Sequence, residues 1–311
     1  MKILVFGSNG LVGNSLRRKF LDTNFSKTHS VDFSTRNDTN LFSLSATKRK
    51  IKQSEPELII NAAAKVGGIV ANNSKRTDFL IENTKINLNI LESCKSLKPI
   101  TIINLGSSCI YPLRAKNPIK ESYILEGKLE PTNSPYAMAK LLAIELGNSI
   151  SLEFGHKVIN LMPTNLYGPN DFFDSKLSHV IPGLIHRMHN AKNRKDPNFE
   201  IWGSGKALRE FLYVDDLALA IIHIIENNIK ETLINIGSGE EISITNLANL
   251  IKNILNYEGQ FVYNNNLPEG NDRKLLDSSK INNYGWRANV SLIEGLKKTY
   301  KWYLDNISKI S

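Results

Sequence analysis

Tyr136 and Lys140 lie four positions apart in the run Ser134-Pro135-Tyr136-Ala137-Met138-Ala139-Lys140. Apolar residues follow at helical spacing, at Leu141, Leu142, Ile144, Leu146 and Ile150. The two side chains are therefore expected on one helical face, one turn apart. A phenol titrates near pH ~10 and exchanges protons poorly at neutrality. A neighbouring ammonium favours the phenolate and lowers that value. The pair can thus serve as a proton-transfer device. By itself it is also what an ordinary helix surface presents, so the surrounding elements must decide.

Those elements alternate. Lys2-Ile3-Leu4-Val5-Phe6 is a continuous apolar run, as a buried parallel strand requires. Gly7-Ser8-Asn9-Gly10-Leu11-Val12-Gly13 follows and opens a helix. Glycines at a strand-to-helix turn let the backbone approach a pyrophosphate, which the helix N-terminus attracts. A second strand is expected at Ser30-Val31-Asp32-Phe33. The residues after that strand meet the adenosine ribose, where an acid suits a 2′-hydroxyl and an arginine a 2′-phosphate. Asp32 reads as lying within the strand and Arg36 just past it, which favours NADPH.

Further strands are expected at Leu58-Ile59-Ile60-Asn61, Ile100-Thr101-Ile102-Ile103-Asn104-Leu105 and Val158-Ile159-Asn160-Leu161. Small residues, Ala62-Ala63-Ala64, end the first of these, and the hydroxyls Ser107 and Ser108 follow the second. Residues 113–133 read as a loop into the Tyr136 helix, with Gly155 as its C-cap. Later helices are expected over residues 179–189, 217–225, 244–255 and 292–304. The alternation predicts an α/β fold: a Rossmann-type doubly wound parallel sheet with a smaller mixed α/β C-terminal substrate lobe. The expected division is residues 1–165 with about 211–237 returning to it, then 166–210 and 238–311 as the second lobe.

The composition, with 41% hydrophobic and 22% charged residues among 311, is that of a globular protein. The net charge of +9 is scattered, and no aromatic-basic block suggests nucleic acid. Two cysteines, Cys94 and Cys109, form neither a disulfide framework nor a metal-ligand set, which predicts a reduced, cytoplasmic protein without metal. The first strand begins at Lys2, leaving no room for a signal peptide, and no apolar run approaches the length of about 18 residues needed to span a membrane.

The glycine motif, Ser107 and Tyr136-x-x-x-Lys140, in that order, resemble the extended short-chain dehydrogenase/reductase family. Longer runs narrow the resemblance to the GDP-L-fucose synthase family. They are Ala62-Ala63-Ala64-Lys65-Val66-Gly67-Gly68-Ile69-Val70-Ala71-Asn72, Ser107-Ser108-Cys109-Ile110-Tyr111-Pro112, Pro163-Thr164-Asn165-Leu166-Tyr167-Gly168-Pro169, Ser178-His179-Val180-Ile181-Pro182 and Arg209-Glu210-Phe211-Leu212-Tyr213-Val214-Asp215-Asp216. The resemblance extends from residue 1 to about 305.

That resemblance implies reduction of a GDP-linked 4-keto sugar by NADPH, after epimerisation at C3 and C5, for surface-polysaccharide sugars. Tyr136 would protonate the C4 oxygen, Lys140 would lower its pKa and hold the nicotinamide ribose, and Ser107 would bond the carbonyl oxygen. Cys109 and His179 stand at the positions of the two epimerising groups. Cofactor contacts are implied at Gly7, Asn9, Gly10, Leu11, Val12, Arg36, Ala62, Ala63, Leu105, Tyr136, Lys140, Pro163, Asn165, Leu166 and His179. Ser108, Asn165 and Val180 would meet the substrate, Arg187 and Arg209 its diphosphate, Trp202 its guanine, and Lys274 the nucleotide. The family also implies a homodimer built on the Tyr136 helix and the helix near residues 84–96.

Two departures stand out. The family's Asp-Asn-Phe reads Asp171-Phe172-Phe173-Asp174 here, near the expected sugar site, and Asn9 replaces a basic residue between the first two glycines. Two other enzymatic readings stay open. One is a reductase acting on another GDP-4-keto sugar, such as a heptose, without epimerisation. The other is a nucleotide-sugar 4-epimerase that retains NAD. A non-catalytic nucleotide-binding scaffold would not need Ser107, Tyr136 and Lys140 together.

Overall fold

The structure, a computed structural model, describes residues 1–267 and 269–310. In chain order, β1 (Lys2–Phe6), α1 (Leu11–Asp22), α2 (Phe25–Thr28), β2 (Ser30–Ser34), α3 (Leu44–Ser54), β3 (Leu58–Asn61), α4 (Ile69–Ser74), α5 (Arg76–Cys94) and β4 (Thr101–Leu105) come first. Single-turn 3-10 helices at Ser108–Ile110 and Glu121–Tyr123 precede α6 (Ser134–Phe154), β5 (Lys157–Pro163), β6 (Asn165–Tyr167), α7 (Val180–Arg194) and β7 (Asn198–Trp202). Then follow β8 (Leu208–Tyr213), α8 (Val214–Glu226), β9 (Leu233–Ile236), β10 (Glu241–Ser243), α9 (Ile244–Leu255), β11 (Gln260–Asn264), β12 (Arg273–Lys274), α10 (Ser279–Asn283) and α11 (Leu292–Ile310).

Six parallel strands form the main sheet in the order β2-β1-β3-β4-β5-β9. Their apolar runs are buried because helices cover both faces of such a sheet. The chain leaves β1 toward β2 and returns on the other side at β3. That reversal opens a crevice at the carboxyl ends of β1 and β3, where doubly wound sheets bind ligands.

A row of amides crosses the sheet beneath this crevice. Asn61, Asn104 and Asn160 sit in register on β3, β4 and β5, all at most 2% exposed. Asn61 Nδ2 donates to Asn104 Oδ1 (3.0 Å) and Asn104 Nδ2 to Asn160 Oδ1 (3.2 Å). Asn160 Nδ2 donates to the Thr232 carbonyl, and Asn61 also donates to Asn87 of α5. Every one of these buried amides thereby has a partner, as burial demands.

The second lobe gathers around β8, which pairs with β6, β10 and β12, beside the separate pair β7–β11. Its core joins Tyr167, Phe173, Leu184, Ile201, Leu247 and Tyr303. Within the stretch 211–237, α8 covers α1, β9 joins the main sheet and Leu212 packs into the core beneath it, while β8, through Tyr213, pairs as a strand with β6, β10 and β12. β6, β10 and β12 carry two or three residues each, too few to show a period of two in sequence. The last helix continues to Ile310, past the expected end at residue 304.

Candidate active site

The central strand β4 ends at Leu105, and the backbone, still extended at Ser107, enters a 3-10 turn at Ser108. Ser107 caps the following 3-10 turn by accepting from the Cys109 N–H (3.2 Å). One short turn therefore presents a hydroxyl and a thiol two residues apart. Tyr136 comes from the first turn of α6, and its phenol lies close enough to Ser107 and Cys109 to feel both. Phe79 of α5 packs edge-on against the Tyr136 ring at 6.2 Å between centroids.

Lys140 follows one turn later, 2% exposed, and donates to the Leu105 carbonyl at 2.7 Å. Burial pulls its ammonium down to about 8. Burial pushes the Tyr136 phenol up, as does negative charge on Cys109, against a weaker downward pull from Ser107. The expected lowering of Tyr136 by Lys140 is thus absent in the free protein. The ammonium sits 5.7 Å from the ring centroid and is aimed at a backbone carbonyl, so desolvation dominates. Tyr136 keeps its proton at neutral pH, as a donor must.

His179 is the N-cap residue of α7 and makes no side-chain cap. Surrounding protein pushes its imidazole down and favours the neutral ring, although the residue stays open to solvent. Cys109 Sγ accepts from Asn133 Nδ2 and from Lys274 Nζ, each at 3.6 Å.

A dinucleotide fits the crevice. Gly7 adopts φ +77°, and a Cβ there would lie 2.6 Å from Ala63 N, so only glycine lets β1 turn so tightly against β3. Gly10 starts α1 with no side-chain cap, and the buried Ser8 Oγ has no partner among the described residues, which leaves donors unmatched at that turn. Asn9 is exposed, Leu11, Val12, Ala62 and Ala63 are partly exposed, and Leu105 and Pro163 are buried. Asp32 is bound to Lys50 (2.8 Å) and Ser54 (2.5 Å), which turns it toward α3. Arg36 is exposed, with its guanidinium 5.5 Å from the Phe42 ring.

The groups expected at the substrate fall into two sets. Arg187 stacks at 4.9 Å over both Phe199 and Trp202 and donates to the Glu200 carbonyl. One face of Trp202 is therefore covered by Arg187. Arg209 donates to the Leu208 and Glu269 carbonyls and stands in register with Lys274 on β12. Burial lowers the pKa of both arginines. Asn165, partly exposed beside Leu166, donates to the Glu210 carbonyl (2.8 Å), and Val180 is 38% exposed. Ser108 is 3% exposed, because the 3-10 turn points it inward, so it offers a ligand little surface. In the altered loop Phe172 is 56% exposed and Phe173 is buried against Trp302 and Tyr303. Asp171 is pushed up to about 7 by burial, and its Oδ2 has no partner among the described residues.

Sequence reasoning passed over Asn133 and Glu210. Asn133 was legible as an N-cap residue just before Pro135. Glu210, 0% exposed, accepts from the Gly239 and Leu276 N–H groups and fastens β8 to the segment after β12. Nothing in its motif marks it as buried.

A parallel sheet reversing over a glycine turn, with Ser107, Tyr136 and Lys140 at the crevice, defines a nicotinamide-dependent enzyme of the short-chain dehydrogenase/reductase class. The chain belongs to the NAD dependent epimerase/dehydratase family, whose model matches residues 3–237. It falls among the GDP-L-fucose synthases of that family. It is 41% identical to "Probable GDP-L-fucose synthase 1" of Oryza sativa subsp. japonica, over 98% of this chain and 93% of that one. It is 40% identical to the GDP-L-fucose synthase of Escherichia coli (strain K12), over 98% and 97%. Among solved structures, a GDP-mannoheptose C4 reductase from Campylobacter jejuni with NADP bound superposes with a TM-score of 0.84, at 32% identity over 97% of this chain and 98% of that one.

Proposed function

We propose that this protein is an NADPH-dependent 4-reductase of a GDP-4-keto sugar, of the GDP-L-fucose synthase type, with epimerisation at C3 and C5 before reduction. One geometric fact carries the reading. The turn that follows β4 offers the Ser107 hydroxyl and the Cys109 thiol together, beside a protonated Tyr136.

Bound NADPH supplies the hydride to C4. Lys140, on the helix that faces the crevice, would bond a ribose hydroxyl, and Arg36 would take a 2′-phosphate, a role that Asp32, occupied by Lys50 and Ser54, leaves to it. Ser107 bonds the carbonyl oxygen where negative charge grows, and Tyr136 gives that oxygen its proton. For epimerisation, Cys109 takes the proton beside the ketone as the electron pair moves to the Ser107-bound oxygen; the pair then returns to the carbon, which takes a proton from solvent through His179 on the other face. Arg187 and Arg209 face the diphosphate. We further infer a homodimer through α5 and α6, whose surfaces leave Leu80, Ile81, Leu88, Met138 and Leu142 exposed between 38% and 50%. Among the described residues no helix is long and apolar enough to cross a membrane.

A second reading is supported by exposed Phe172 at the expected sugar site and by the heptose-reductase likeness: reduction of a GDP-4-keto-heptose without epimerisation. A panel of GDP-4-keto sugars with NADPH and NADH, run in deuterated water, separates the two. The primary reading expects steady NADPH loss with a GDP-4-keto-6-deoxy-hexose and deuterium at C3 and C5. Turnover of the heptose alone, without deuterium, would replace it by the second. Sugar inversion at C4 with no net NADPH loss would replace both by a 4-epimerase.

A further inference from the structure

Lys274 was expected at the nucleotide, yet its ammonium lies 3.6 Å from Cys109 Sγ. The placement is built into the strand. Successive side chains of β12 point to opposite sides. Arg273 faces outward and pairs with Glu241 at 2.8 Å, which leaves Lys274 facing inward. The segment behind it is fixed. Leu275 N–H donates to Asn117 Oδ1 (2.7 Å), and Leu276 N–H to buried Glu210 (3.0 Å). Among the described residues, Lys274 makes no ion pair with a carboxylate.

The sulfur makes two hydrogen bonds among the described residues, and it accepts in both, from Asn133 and from Lys274. Asn133 is itself held, since its N–H donates to buried Glu130 (3.1 Å). Tyr136 and Arg209, both titratable, also lie close enough to Cys109 to interact with it. One of the two donors aimed at the sulfur is thus an ammonium, on a strand held in place behind it.

We propose that Lys274 is a positioning residue for Cys109: its ammonium holds the sulfur as the thiolate that removes the proton beside the ketone. The proposal rests on the epimerising reading of the site. The thiolate takes the C–H proton and becomes the thiol, and the electron pair passes to the ketone oxygen. Lys274 transfers no proton in the step, and the thiol proton later leaves to solvent.

Alkylation of the full-length protein by iodoacetamide, followed by peptide mass mapping, tests this without any sugar. Cys94 serves as the internal control, because it is fully buried. Lys274→Met is expected to slow Cys109 labelling about tenfold at neutral pH and to displace its profile to higher pH, because an adjacent cation favours the thiolate. Lys274→Arg keeps the charge and is expected to recover most of the rate, which loss of folding would not allow. Equal labelling of wild type and Lys274→Met would overturn the proposal. So would weakened GDP binding as the sole defect, which would return Lys274 to the nucleotide. If wild type places no deuterium at C3 and C5, the underlying reading fails instead, and the labelling result keeps that failure distinct.

Discussion

Lys140 donates to the main-chain carbonyl of Leu105 at 2.7 Å, so the helix that carries Tyr136 is tied to the end of the central strand by a buried ammonium. That ammonium is held down to about 8, below its usual value near 10.5. Between those values the unfolded chain binds the extra proton and the folded chain does not. The contribution of Lys140 therefore makes the protein more stable as pH rises from about 8 to about 10.5. Below that window the buried charge is a standing penalty. Lys140→Met is expected to raise the melting temperature of the free protein at pH 7 by a few degrees while abolishing reduction. Calorimetry at pH 7 and pH 10 checks it, and the gain should shrink at the higher pH.

Tyr136→Phe removes the proton donor but keeps the ring against Phe79. The turnover number is expected to fall by about 10²–10⁴-fold with KM nearly unchanged, the range for loss of a positioned acid. Ser107→Ala should lower it by about 10²-fold, as for one lost oxyanion donor. Steady-state kinetics with NADPH reads both, and a large rise in KM alone would contradict these roles.

Arg36→Ala should raise KM for NADPH by about tenfold or more and leave NADH kinetics unchanged, since only the former carries the 2′-phosphate that a guanidinium binds. An equal change with both cofactors would place Arg36 elsewhere.

Glu210→Gln leaves one of two backbone N–H groups, Gly239 or Leu276, facing an amide donor. The expected loss is about 1–3 kcal/mol, the cost of an unsatisfied buried donor. Urea denaturation measures it.

Leu142→Glu puts a charge on the exposed apolar face shared by α5 and α6. Light scattering is expected to show twice the monomer mass for wild type and the monomer mass for the variant.

The main sheet was legible because β1, β3, β4 and β5 are dominated by apolar residues and glycines mark the turn after β1 and the end of the Tyr136 helix. The Tyr136–Lys140 helix was legible for the same kind of reason, through its spacing and through Pro135 in its first turn. The approach of Lys274 to Cys109 was not, because two residues of strand show no alternation, and the inward side of β12 is decided by Glu241 taking Arg273. Spacing alone does not show how Lys140 acts on Tyr136, because spacing says nothing of aim. A lysine one turn away finds the Leu105 carbonyl, and burial then governs the phenol. Asp32 and Arg36 looked like rivals in sequence, whereas Lys50 and Ser54 on α3 separate them.

The row Asn61–Asn104–Asn160 also acts as a check on strand alignment. A slip of β4 by one residue would bring Ile103 or Leu105 into the row and strand the amides on either side. Each stranded amide costs on the order of 1–3 kcal/mol, whereas the apolar neighbours would tolerate the slip far better. Misaligned sheets are thereby rejected by polar groups in an otherwise oily layer. The same linkage makes the three positions interdependent, so replacing one asparagine alone harms more than its own bonds, and the effects of paired replacements should not add.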